Sequence, residues 1–257
     1  MDCKIIFFDV DGTLINYSDG CIERSTKNAL QILRNKGIRL VAATGRPLSM
    51  CHDLQELGID TFITANGAYT RHGDQIIHTI PIAQEIVESV KAFAEDNNNS
   101  LSFFTDQLSM NNVRHPATLK AMKETLSLDE YPPTNNNILN EKVYLMCLYA
   151  NEQEEKKYIT QFPNLKFERW HPTIMNVLQD DVSKSIAVEA VLKYFNLLPK
   201  EAIAFGDGDN DIDMLKQVEY GIAMGNGSVA LKNIADYVTK KSDEGGIDDA
   251  LRKLQLI

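Results

Sequence analysis

Asp9 and Asp11 stand two residues apart at the end of an apolar run, Lys-Ile-Ile-Phe-Phe at 4–8, and Gly12 and Thr13 follow them. In extended chain, residues two apart project to the same side, so both carboxylates face one site while Gly12 lets the backbone turn sharply. A solvated turn needs neither an apolar strand delivering the aspartates nor two of them on one face. Gly-Asp-Gly-Asp-Asn-Asp at 206–211 follows a second apolar run, 202–205. Such an oxygen-rich cluster suits a hard cation of the Mg²⁺ type, which takes one or two carboxylates together with waters and phosphate oxygens. A calcium loop shares the spacing of Asp207, Asp209 and Asp211. It fails because Ile212 stands at the glycine position and Val218 at the position of the bidentate glutamate. Thr44-Gly45-Arg46 offers a hydroxyl and a backbone N–H to an anion. Lys184, beside Ser183 at a predicted helix start, adds a cation where helix N–H groups also meet anions.

These segments need elements that bring them to one place. Short apolar runs at 4–8, 39–44, 61–65, 202–205, 220–224 and 237–239 read as buried parallel strands. They alternate with helical patterns at 25–36, 48–57, from 183, from 211, from 228 and at 247–254, which makes this part of the chain α/β. Ligand sites of open α/β sheets lie beyond the carboxyl ends of their strands, and that is where each segment falls. His72-Gly73-Asp74 predicts a hairpin between 69–71 and 75–79. Strands at 101–105, 143–149, 165–170 and 174–178, with helices at 82–96, 117–126 and 152–161, predict an α+β unit with an antiparallel sheet. The expected architecture is one core from residues 1–81 and 182–257, with residues 82–181 inserted as a second domain. No fixed-period repeat is evident.

Composition excludes several classes. Of 257 residues, 44% are apolar and 24% charged, with a formal net charge of −10, which is no footprint for nucleic acid. An acidic chain that handles anions must concentrate positive charge locally. Cys3, Cys21, Cys51 and Cys147 have no metal or disulfide spacing and read as thiols of a reducing cytosol. The five histidines form no metal-type cluster. No apolar stretch approaches the ~20 residues of a membrane span, and no secretory signal is evident, so a cytoplasmic protein without a membrane partner is expected. Gly225-x-Gly227-x-x-Ala230 copies part of a dinucleotide fingerprint, but only one strand is predicted after it, too few for that fold.

Taken together, D-V-D-G-T at 9–13, T-G-R at 44–46, S-K at 183–184 and G-D-G-D-N-D at 206–211 closely resemble the haloacid dehalogenase superfamily of phosphohydrolases. The large insertion, with Ala65-Asn66-Gly67-Ala68 before it, resembles the Cof-type subfamily. The resemblance implies a Rossmann-like parallel-sheet core with an inserted α+β cap, Mg²⁺ as cofactor, and hydrolysis of a small phosphorylated metabolite such as a sugar phosphate, nucleotide, flavin mononucleotide or pyridoxal phosphate. It implies Asp9 as nucleophile and Asp11 as general acid/base. Metal would be held by Asp9, Asp207 and the Asp11 carbonyl, with Asp211 in support. Thr44, Gly45, Lys184, Asn210 and the Val10 N–H would hold the phosphoryl oxygens. Ser185 departs from the glycine that many relatives carry after the lysine. Electrostatics points the same way: two carboxylates repel a phosphate dianion unless a divalent cation bridges them. Substrate choice is expected in the insertion, where Trp170 and His171 are candidates. A phosphomutase using the same aspartyl phosphate and a non-catalytic sugar-phosphate sensor remain alternatives, and oligomeric state is open.

Overall fold

The computed structural model describes residues 2–257. In chain order the elements are β1 (Ile5–Asp9), α1 (Arg24–Asn35), β2 (Arg39–Ala43), α2 (His52–Glu56), β3 (Thr61–Thr64), β4 (Tyr69–His72), β5 (Gln75–Thr79) and α3 (Gln84–Asp96). Then come β6 (Ser100–Phe104), β7 (Leu108–Met110), α4 (Pro116–Leu126), β8 (Leu145–Tyr149), α5 (Glu152–Gln161), β9 (Leu165–His171) and β10 (Ile174–Gln179). The chain closes with α6 (Lys184–Tyr194), β11 (Ala202–Gly206), α7 (Ile212–Lys216), β12 (Tyr220–Ala223), α8 (Val229–Ile234), β13 (Tyr237–Val238) and α9 (Gly246–Lys253). It divides into two compact units. One is the chain up to Arg46 with Met50–Thr79 and Ser183–Ile257; the other is Pro47–Ser49 with Ile80–Val182.

The first unit is built on an eight-stranded sheet of order β13-β12-β11-β1-β2-β3-β4-β5. The strands from β13 to β3 run parallel, and β4 and β5 add antiparallel at one edge. Both faces of β1 are buried, which is why its sequence is a continuous apolar run and not an alternation. Ile5 and Phe7 pack with Val41, Ile63, Ala187, Val188, Val191 and Ala204 in one core. Phe8 stacks on Phe205 at a centroid distance of 5.1 Å. The chain leaves β1 toward β2 and β3 on one side and returns on the other as β11, so the sheet's switch point lies at β1. Register completes the placement. Asp9 pairs with Ala43 and Phe8 with Phe205, so residues 44–46 and 206–207 emerge beside 9–11.

The second unit is a five-stranded antiparallel sheet of order β7-β6-β8-β10-β9. Val87, Val90 and Ala94 of α3 and Tyr158 of α5 pack with Leu101, Phe103, Met146, Leu148, Met175 and Val177. The α+β character and the hairpin at 73–74 agree with the sequence expectation. Two details differ. Strand β7 has no counterpart in the sequence reading, because three residues are too few to show a period. The helix expected over 48–57 is a 3-10 turn, Leu48–Met50, followed by the short α2. Among the described residues, no helix is long and apolar enough to cross a membrane.

Candidate active site

Asp9 ends β1 with only 6% of its surface exposed. Lys184, fully buried at the first turn of α6, donates from Nζ to Asp9 Oδ1 at 2.6 Å and to Asp211 Oδ1 at 2.6 Å. The helix start that projects it is capped by Ser183, whose Oγ accepts from the Ile186 N–H at 3.3 Å. Asp211 Oδ2 accepts from the backbone N–H groups of Asp207 and Gly208, both at 3.0 Å, and so closes the loop that presents the Asp207 carboxylate. One carboxylate oxygen from each of Asp9, Asp207 and Asp211 lies within 4.8 Å of the other two.

Three buried carboxylates thus gather in one place, and one ammonium bridges two of them. Burial, followed by the charge of Asp211, pushes the Asp9 carboxyl well above its ordinary range, although Lys184 pulls the other way. Burial and Asp211 raise Asp207 to about 6. Burial opposes the charge on Lys184, yet Asp211 and Asp9 outweigh it and raise its pKa. One lysine is too little positive charge for this cluster. An all-oxygen donor set short of positive charge fits a hard divalent cation. Asp9 and Asp207 have carboxylate oxygens to give. Both oxygens of Asp211 are already engaged, which suits it to support and not to direct ligation.

Asp11 stands apart from that cluster. Its carboxylate turns to Arg46, with Nε donating to Oδ2 at 2.9 Å and a second guanidinium nitrogen to Oδ1 at 2.5 Å. Its backbone carbonyl accepts from the Tyr17 hydroxyl at 3.0 Å. Gly12 adopts φ +85°, and a Cβ there would overlap both the Asp207 carboxylate and the Tyr17 ring. Thr44 follows β2, where its hydroxyl accepts from the Arg46 N–H at 3.0 Å and its own N–H donates to the Ile63 carbonyl at 2.8 Å. Val10 is fully buried, and its carbonyl accepts from the Ile15 N–H at 2.8 Å. Asn210 donates from Nδ2 to Asn66 Oδ1 at 3.3 Å. Ser185, the departure from the family pattern, hydrogen-bonds Ser183 at 2.9 Å and leaves Lys184 undisturbed.

Sequence reasoning gave no role to Arg46, Tyr17, Asn66 or Asn226. Asn226 lies in the segment that imitates a dinucleotide fingerprint. Its Nδ2 donates to the Gly12 carbonyl at 2.8 Å and to Asp207 Oδ2 at 3.2 Å, while its Oδ1 accepts from the Ser242 N–H at 2.9 Å. The glycine-flanked turn therefore braces the aspartate loops, which dismisses the dinucleotide reading. Its position just after a strand end, beside the other loops of that sheet edge, was the signal available.

The site is thus a parallel sheet with buried aspartates at the end of β1 and just after β11, and a lysine that joins Asp9 to Asp211; its class follows from the proteins that share it. The model of the haloacid dehalogenase-like hydrolase family matches residues 6–251. A Bacillus subtilis (strain 168) protein named "Putative phosphatase YkrA" is 33% identical over the whole of both chains. The sugar phosphatase BT4131, of HAD subclass IIB, is 33% identical with a TM-score of 0.85, covering 99% of this chain and all of that one. A 5-amino-6-(5-phospho-D-ribitylamino)uracil phosphatase of the same Bacillus, YitU, is 26% identical over 97% of this chain and 96% of its own. The chain belongs to the haloacid dehalogenase-like hydrolase family. It is a phosphatase of small phosphorylated compounds.

Proposed function

We propose that this phosphatase hydrolyses a phosphate monoester of a sugar or sugar alcohol, with Asp9 as nucleophile and Mg²⁺ as its ion. The observation that supports this most is the buried Asp9 carboxylate at the end of β1, hydrogen-bonded to Lys184 beside Asp207. The substrate class rests on likeness. BT4131 is a sugar phosphatase, and the substrate in the YitU name carries its phosphate on a ribityl chain.

Mg²⁺ held by Asp9, Asp207 and the Asp11 carbonyl would supply positive charge to the phosphate oxygens and to the attacking carboxylate. Asp211 fixes the loop that carries Asp207. Thr44, Gly45, the Val10 N–H, Lys184 and Asn210 receive the phosphoryl oxygens and orient phosphorus toward Asp9. The Asp9 carboxylate attacks in line, the P–O bond to the leaving group breaks, and Asp11 protonates the departing oxygen. The aspartyl phosphate is then cleaved by a water that Asp11 deprotonates, which returns Asp9 and releases inorganic phosphate. Arg46 grips both oxygens of Asp11, so proton delivery requires Asp11 to give up one of those contacts. The second unit, Ile80–Val182, is proposed to select the leaving group. Trp170, 46% exposed with its indole donating to Asn176 Oδ1 at 2.9 Å, is the candidate specificity residue of that unit, with His171 beside it.

The test is phosphate release from a panel of sugar and sugar-alcohol phosphates, with and without Mg²⁺, by wild type and by Asp9→Asn. The expected result is Mg²⁺-dependent release that the substitution abolishes without loss of fold. Robust turnover by Asp9→Asn would remove the nucleophile assignment. Isomerised sugar phosphate without free phosphate would favour a mutase instead.

A further inference from the structure

Between β3 and β4 the chain makes a 3-10 turn, Ala65–Gly67, in which two consecutive residues other than glycine are left-handed: Ala65 at φ 50° and Asn66 at φ 54°. That region is costly for a residue with a Cβ, and more so for alanine than for asparagine. Such backbone persists only where its surroundings over-determine it. Here they do. The Ala65 N–H donates to the Arg46 carbonyl at 3.1 Å, and the Asn66 N–H donates to the Thr44 carbonyl at 3.0 Å, so the strained turn holds both carbonyls that flank Gly45.

The Asn66 side chain is 5% exposed and lies over Gly45, where a Cβ would stand 3.1 Å from Asn66 Oδ1. The same oxygen accepts from Asn210 Nδ2 at 3.3 Å. Gly67, at φ 106°, presses so closely on the start of α6 that a Cβ would overlap the Ser183 carbonyl. One turn therefore touches the 44–46 turn, the helix start that carries Lys184, and the 206–211 loop.

We propose that Asn66 is a positioning residue of the phosphate cradle, acting through Asn210, whose carboxamide it orients toward the phosphoryl oxygens. This rests on the reading above that Asn210, Thr44 and Gly45 bind the phosphoryl group. Strain carried at Ala65 and Asn66 keeps a buried acceptor facing Asn210, and an unstrained turn would withdraw it.

The experiment measures binding of inorganic phosphate and orthovanadate by titration calorimetry in Mg²⁺, with thermal denaturation in parallel. The proteins are wild type, Asn66→Gly, Asn210→Ala, the double variant and Asn196→Gly. Glycine accepts a positive φ without strain, so Asn66→Gly should keep or raise the melting temperature. It should weaken both anions about tenfold, the scale of one hydrogen bond to a charged group. In the Asn210→Ala background it should add little. Asn196, exposed at φ 55° after α6, is the matched control and should leave anion binding unchanged. Equal affinity in Asn66→Gly, losses that add fully to those of Asn210→Ala, or a loss that accompanies a lowered melting temperature would each overturn the inference. Failure of the wild type to bind either anion would instead strike the underlying reading.

Discussion

Replacing Asp207 by asparagine should stabilise the metal-free protein while removing its response to Mg²⁺. Burial and the charge of Asp211 raise Asp207 from 3.8 to about 6. A carboxyl whose folded pKa lies above its unfolded value adds most to stability at low pH, and that contribution is lost as pH rises through the folded pKa. The relevant window is therefore about pH 4 to 6. That rise corresponds to roughly 3 kcal/mol at about 1.36 kcal/mol per pH unit, an upper bound because the neighbouring Asp9 carboxyl is raised as well. Asparagine keeps an oxygen for the Asn226 amide, at 3.2 Å in the native pair, and leaves the backbone bonds of the loop in place. With EDTA at pH 7.5, Asp207→Asn should gain about 1–3 kcal/mol, or very roughly 3–8 °C in melting temperature for a chain of this size. The gain should shrink toward zero near pH 4, and adding Mg²⁺ should stabilise wild type and not the variant. Thermal denaturation followed by circular dichroism across this range, with EDTA and with Mg²⁺, reads all of these effects. A loss of stability at every pH, or a gain that does not depend on pH, would refute the reasoning.

Lys184→Met should act in the opposite direction. It leaves Asp9 and Asp211 without their shared ammonium, and removing one partner of a buried pair costs about 3–5 kcal/mol. The loss should be smaller at pH 5, where the Asp9 carboxyl, held well above its ordinary range by burial, takes up a proton, and kcat should fall about 10²–10³-fold, the scale of one electrostatic contact to a transferring group; denaturant unfolding at two pH values and steady-state kinetics test both parts. Gly12→Ala forces a left-handed alanine, which costs about 1–2 kcal/mol, and drives a methyl into the Asp207 carboxylate. It should lower stability and weaken Mn²⁺ binding, measured by electron paramagnetic resonance, whereas unchanged Mn²⁺ affinity would show that Asp207 does not share the ion site.

The features legible in the sequence are those fixed over a few residues. Apolar runs buried on both faces named the parallel strands, and the aspartates, Thr44 and Lys184 announced themselves by following a strand or opening a helix. Because parallel strands place their carboxyl ends along one edge, four local motifs could be assigned to a common site before any contact was known.

Tertiary structure alone decided the partners. Lys184 reaches Asp9 across 175 residues and Asp211 across 27, and Asn226 reaches back 214 residues to the Gly12 carbonyl. Such pairs depend on strand order and register, on Asp9 lying beside Ala43 and Phe8 beside Phe205, and no local pattern encodes them. The contact between Arg46 and Asp11, and the left-handed turn at Ala65 and Asn66, belong with these. Each is held by neighbours distant in sequence, so its chemistry exists only once the sheet has closed.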